Sequence, residues 1–216
     1  MSVSRSLSWP GSMLTIALET LTPDDAVAAA AIHIEGQPGT FLTRLGPAFL
    51  AAMYRGLAAA PDCYGFVARS DGQVVGVVVG MPAGEGLFGH LGWRGIARLF
   101  LPLVGALLRD PSLLKGVFQT LRYGGAFNTR PQEAELLFIG VLKRVASEGI
   151  GRALIDALAA ESRQRGMRWM SLIVDDGNER AKRFYQRNGL RPEGSIELHG
   201  RTMHRYLLDT RGEEVA

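Results

Sequence analysis

The stretch from Glu133 to Asp176 constrains the fold more than any other part of the chain. EAELLFIGV, residues 133–141, is an apolar run of strand length. A loop leads from it into GIGRALIDALAA, where apolar residues recur at helical spacing over 149–165. Gly166 stops that helix, and RWMSLIVDD, residues 168–176, reads as a second strand. Asn178 then caps a short helix that ends at Asn188-Gly189, and GSIELHG and RTMHRYLLD form two strands around His199-Gly200. The order β-α-β-α-β-β predicts an α/β or α+β domain built on a mixed sheet.

Upstream, MLTIALE (13–19) predicts a strand, and Thr22, Pro23 and two acids open a helix that reaches Glu35. FLTRLGPAFLAAMYRGLAAA is helical in pattern with a break at Gly46-Pro47. YGFVARS and QVVGVVVGMP are two strands joined by Asp71-Gly72, a strong hairpin signal. Residues 84–130 differ: glycine-rich turns alternate with amphipathic segments, which predicts two or three helices inserted between that hairpin and the strand at 133.

The 216 residues suit one domain, expected over 13–216, after a flexible leader at 1–12. Net charge is +3 with no block of like charges, so nucleic-acid binding is not expected. One cysteine, Cys63, rules out an internal disulfide and favours a reducing, cytoplasmic setting. With no base near it in sequence, Cys63 reads as structural. The N-terminus lacks the apolar core of a signal peptide. The apolar stretch at 95–108 is short for a bilayer and interrupted by Arg98 and Pro102, so no membrane span is expected. The four histidines are too scattered for a metal site.

A strand, a glycine-bearing turn and a helix make a general anion-binding arrangement, with main-chain N–H groups and the positive helix end facing one point. Gly149 and Gly151 would let a pyrophosphate approach, with Arg144 and Arg152 adding charge. The stretch is not a P-loop, and Leu154 stands at the third glycine position of a dinucleotide fingerprint. Taken alone, the plainer reading is a helix start that carries glycines.

The wider arrangement is more specific. Val141, Gly149 and Gly151, followed by a strand and then by Asn178, Ala181, Tyr185 and Gly189, resembles the signature of the GNAT superfamily of acetyl-CoA-dependent N-acetyltransferases. The resemblance is strong over 133–191 and covers only element order over 13–82. Two positions depart from it: Leu190 replaces the commonest Phe, and Ala146 replaces the Gln or Arg that opens the loop motif. It implies a GNAT fold, a mixed central sheet splayed at its middle with helices on both faces, to which 84–130 is an added helical segment.

The resemblance also implies chemistry: direct transfer of an acetyl group from acetyl-CoA to an amine, with no metal. The pantetheine arm would lie beside the strand ending at Val141 as an extra strand, along Ile139, Gly140 and Val141. An N–H near Gly140 or Val141 would stabilise the oxyanion. Arg144, Glu148, Gly149, Ile150, Gly151, Arg152 and Ala153 would surround the pyrophosphate, with Asn178, Ala181 and Tyr185 completing the cofactor contacts. Tyr185 is the candidate general acid for the departing thiolate; its alternative is a core aromatic beside Phe184.

Glu135 is the candidate base, placed on one face with Val141 by even spacing if no bulge intervenes. Glu133, Asp175 and Asp176 are its rivals, and His33 is a further candidate for the acceptor side. His199 and His204 flank a turn and read as surface residues. The expected acceptor is a small-molecule amine, for example an amino sugar. A protein N-terminus or lysine, and a non-catalytic CoA sensor, stay open. The insertion has three readings: a lid, a homodimer contact or a membrane contact, with Arg98, Arg109, Lys115 and Arg122 as its basic side.

Overall fold

A computed structural model describes residues 5–7, 16–84, 86–122, 129–146, 149–198 and 200–212. Its centre is one eight-stranded sheet in the order β1-β2-β3-β4-β5-β6-β8-β7. The first half is an antiparallel meander: β1 (Arg5–Leu7), β2 (Ile16–Thr20), β3 (Tyr64–Ser70) and β4 (Gln73–Pro82). Asp71 and Gly72 both take positive φ, 49° and 76°, in the two-residue hairpin turn their types favour. The second half holds β5 (Glu133–Val141), β6 (Trp169–Asp175), β7 (Arg191–Leu198) and β8 (Arg201–Asp209). Among the described strands, only β5 and β6 run parallel.

Arg5–Leu7 corrects the expected flexible leader: these residues pair with Leu18, Ala17 and Ile16 as an edge strand. The start of the strand expected from residue 13 lies outside the described residues, as does His199.

Helices cover both faces. On one side lie α1 (Ala26–Gly36), α2 (Phe41–Arg44), α3 (Pro47–Ala59), α4 (Gly86–Arg109) and α5 (Leu113–Arg122). On the other lie α6 (Ile150–Gln164) and α7 (Glu179–Arg187). The core is split accordingly. One apolar cluster joins α1 and α3 to Val77, Val79 and Phe138, and the other joins α6 and Tyr185 to Val78, Leu136 and Leu172. The alternation of neighbouring strand residues between two clusters is what a sheet buried on both faces requires.

α4 is, among the described residues, the one helix long and apolar enough to cross a membrane by length and composition. It is longer than the 95–108 stretch that the sequence suggested, but Gly92 interrupts it with φ 60° and ψ 175°.

A polar network ties the second half together. Glu133 is almost fully buried on β5, and its Oε1 accepts hydrogen bonds from Arg205 Nη2 at 2.6 Å and Ser171 Oγ at 2.6 Å. Arg205 also reaches Glu193 at 2.8 Å, so its guanidinium joins β8 to β5 and β7, and Ser171 on β6 is tied in through the Glu133 carboxylate. Removing one partner of a buried pair leaves the other charge without compensation, at a cost of about 3–5 kcal/mol. Arg205→Leu is therefore expected to lower unfolding free energy by about that amount, measured by urea denaturation.

Candidate active site

The parallel pair β5–β6 is registered only over Glu133–Glu135 against Trp169–Ser171. Beyond these three residues β5 continues to Val141 against β4, and β6 continues to Asp175 against β8. The two strands therefore part within the sheet and leave a main-chain edge open from Leu136 to Val141. Leu142 N–H donates to Val75 O on β4 at 2.9 Å, which sets the phase of the ladder. Alternation then turns Gly140 toward β4 and turns the N–H and C=O of Ile139 and Val141 into the opening. Of the two amides suggested for the oxyanion, Val141 faces the gap and Gly140 does not.

Gly140 has a packing reason instead. A Cβ there would lie 2.7 Å from Phe138 Cζ and 2.9 Å from Ile32 Cγ2. Phe138 in turn stacks on His33 with ring centroids 4.2 Å apart. His33 is buried, its Nδ1 is 2.8 Å from Tyr54 Oη, and burial lowers its pKa to about 4. That removes it from the acceptor side: it is a neutral core residue. Cys63 is likewise buried, its thiol pushed up to about 11 mainly by burial, as a structural role demands.

The register of β5 against β4 shifts between Val79 and Gly80: Val79 pairs with Phe138 and Gly80 with Leu136, so Leu137 is an extra residue. This bulge reverses side-chain parity. Before it, Ala134 and Leu136 face α6; after it, Ile139 and Val141 do, while Phe138 faces α1 and α3. Glu135 and Val141 thus lie on opposite faces, contrary to the even-spacing expectation.

At the open end of the gap two helices begin. α6 starts from Gly149 in the left-handed conformation, φ 74°, with no side-chain cap. Its first N–H groups, at Ile150, Gly151 and Arg152, precede the first helical bond, from Ala153 N to Gly149 O at 3.1 Å. α7 differs: Asn178 Oδ1 accepts from Ala181 N at 3.1 Å and caps it. Gly151 is a contact position, since a Cβ there would sit 3.0 Å from Phe184 Cζ on α7. Arg144 is exposed with Nη2 3.3 Å from Gln73 Oε1, and Arg152 is exposed with Nε 3.7 Å from Asp156. Glu148 lies outside the described residues.

Tyr185 projects from α7 into the cluster that holds Ile139, Val141 and Val174, which flank the gap. Its ring packs near Tyr206 and Phe184, and burial pushes its phenol up to about 12. No hydrogen bond to its hydroxyl occurs among the described residues. Core aromatic and proton donor are therefore compatible roles.

The carboxylates separate by partner. Glu133 is held by Arg205, Ser171 and the Arg130 N–H. Asp175 pairs with Arg201 at 2.7 Å, and Asp176 with His204 at 2.7 Å and Lys182 at 3.2 Å. Glu135, half-buried at the closed end of the gap, has no hydrogen-bond or ion-pair partner among the described residues. Burial raises its pKa, Glu133 adds to the rise, and Arg205 opposes it.

An open strand edge between two parallel strands, with an uncapped helix N-terminus at its mouth, offers main-chain partners to an extended ligand and N–H groups to an anion. The sequence profile described as the acetyltransferase (GNAT) family matches residues 29–190, and the chain belongs to that family. It is an acyl-CoA-dependent acetyltransferase, and members of the family use acetyl-CoA. A GNAT-family structure from Desulfovibrio desulfuricans is 16% identical, covers 90% of this chain and 99% of its own, and superposes with a TM-score of 0.61. The ribosomal-protein-S18-alanine N-acetyltransferase from Escherichia coli is 15% identical over 93% of this chain and 99% of its own, TM-score 0.58. Ard1 from Thermoplasma volcanium is 17% identical over 90% of this chain and 97% of its own, TM-score 0.58. These likenesses concern the fold. No protein of curated function matches the sequence.

The residues by themselves disclosed neither the free edge of β6 over Leu172–Asp175, which only the family resemblance implied, nor the bulge at Leu137. Neither carries a local signal: no Gly or Pro marks position 137, and where two strands stop pairing depends on their neighbours. Gly149→Ala forces a Cβ into a left-handed position and is expected to cost about 1–2 kcal/mol, read from chemical denaturation.

Proposed function

We propose that this chain transfers an acetyl group from acetyl-CoA to the primary amine of a small molecule by direct attack in a ternary complex. Acetyl-CoA supplies the thioester as acyl donor. The open edge at Ile139 and Val141 fits an extended amide-bearing arm, because each offers one N–H and one C=O in the manner of a missing strand. The uncapped start of α6 fits its phosphates, with Arg144 and Arg152 near enough in sequence to add charge. The Val141 N–H, aimed into the gap, is the donor placed to hold developing negative charge on a carbonyl oxygen.

Glu135 accepts the proton of the incoming ammonium. The observation that carries this is its lack of a partner while Glu133, Asp175 and Asp176 are all engaged. Its raised pKa makes it a stronger base than an exposed carboxylate, and its half-burial favours a slender acceptor that reaches in. Tyr185, on the other face, keeps its proton through the physiological range and holds it for the leaving sulfur. One domain over 13–216, extended by β1 and carrying the insertion at 84–130, is the unit we propose for this activity.

The test is free-thiol release across amines, amino sugars, aminoglycosides, polyamines and peptides with free N-termini or lysines. Turnover of small amines with none of the peptides supports the reading; turnover of peptides alone overturns it. Tyr185→Phe is expected to lower kcat by about 10²-fold or more with acetyl-CoA affinity unchanged by calorimetry. The basic form of Glu135 exists only above its raised pKa, so kcat/KM should rise as pH passes upward through that value. In Glu135→Gln that limb should vanish or move to the acceptor's own ionisation. No alkaline loss from Tyr185 is expected until pH nears about 12, where its phenol ionises.

A further inference from the structure

Residues 86–122, which span α4 and α5, contain five Lys or Arg (Arg94, Arg98, Arg109, Lys115 and Arg122) against one acid, Asp110. The segment is thus net +4 in a chain of net +3, so the remainder carries −1. Asp110 is already engaged: its Oδ2 accepts from Arg44 Nη2 at 2.6 Å. This positive charge lies on the same helices as the main exposed apolar surface.

Helix α4 has three faces. Gly95, Leu99 and Ala106 are buried on the α3 side. Trp93, Ile96, Phe100, Val104 and Leu108 follow at steps of three and four and are all exposed, Phe100 to 63% and Leu108 to 80%. Arg94 and Arg98 lie one step around from this stripe, and Arg94 sits 5.3 Å from the Trp93 ring centroid. On α5, Leu114 and Phe118 are exposed one turn apart, Phe118 to 71%, with Lys115 exposed beside them.

We propose that α4 and α5 form a docking surface for an anionic lipid bilayer, on which the protein lies peripherally. Aromatic and aliphatic side chains on one stripe, an indole at its end and cations along its flank are what the interfacial layer of a bilayer takes up. Anionic headgroups match the +4 segment. A span is a poorer fit. The unbroken part of α4, 93–109, is about 25 Å long at 1.5 Å per residue, less than the hydrocarbon thickness, and one of its faces is committed to α3. A second copy is also a poorer fit, because a two-fold interface would set this +4 segment against itself.

The experiment is co-sedimentation of the full chain with vesicles of phosphatidylcholine alone and of phosphatidylcholine mixed with phosphatidylglycerol, at low and high salt. Binding to the mixed vesicles about tenfold or more tighter than to phosphatidylcholine, and weakened by salt, is expected. Phe100→Asp/Leu108→Asp should abolish it and Arg94→Glu/Arg98→Glu should remove its lipid selectivity, both with unchanged thermal unfolding since all four positions are exposed. Failure to sediment with either vesicle, or equal sedimentation with both, overturns the proposal. So does a dimer at sedimentation equilibrium that Phe100→Asp/Leu108→Asp converts to monomer. None of these readouts depends on acetyl transfer.

Discussion

The three-residue contact between β5 and β6 is the constraint on which the site depends. Glu133, Ser171 and Arg205 clamp the strands where they pair, in surroundings dry enough that a lone charge would be costly. Past that clamp no ladder pairing joins β5 to β6 among the described residues. β5 follows β4 across the bulge at Leu137, β6 follows β8, and the sheet opens. Main-chain groups that a continuous sheet would satisfy internally are left to a ligand. A strand-like ligand completes them without needing particular side chains, which is why so few residues in the gap are chemically distinctive.

The bulge does more than bend the strand. By reversing parity it places Glu135 on the α1–α3 face and Ile139 and Val141 on the α6–α7 face of the same strand. The residues we propose as proton acceptor and proton donor, Glu135 and Tyr185, therefore approach the gap from opposite sides of the sheet. In the direct transfer we propose, such a division would give acyl donor and acceptor separate routes to one point. The insertion leaves the sheet at the end of β4, where Pro82 pairs with Ala134, next to Glu135. Whatever α4 and α5 contact is thus held on the Glu135 face.

Much of the fold was legible in local chemistry. The Asp71-Gly72 turn, the caps at Asn178 and Gly189, and the strand bounds of 133–141 each follow from residue types that tolerate one backbone state far better than others. The two glycines of GIGRAL divide in role: Gly149 supplies a left-handed start to α6, and Gly151 makes room for Phe184. That second role depends on α7 and has no trace in the loop itself. The even-spacing argument for Glu135 and Val141 failed for a related reason. Period-two alternation holds only while both strands advance in step, and register is a property of the pair.

Order of elements, the hairpin, the helix starts and the spacing of Val141, Gly149, Asn178 and Tyr185 were determined by the sequence alone, since each rests on backbone preferences and periodicities within a few residues. The tertiary structure decided which carboxylate stays unpaired, which amide faces the gap, that His33 is a core residue, and that the apolar stripe of α4 faces outward. Those outcomes turn on partners distant in the chain: Arg205 for Glu133, Arg201 for Asp175, Phe138 for His33, α3 for α4. Burial and pairing are relations between elements, and only their packing reveals which groups are left over for chemistry.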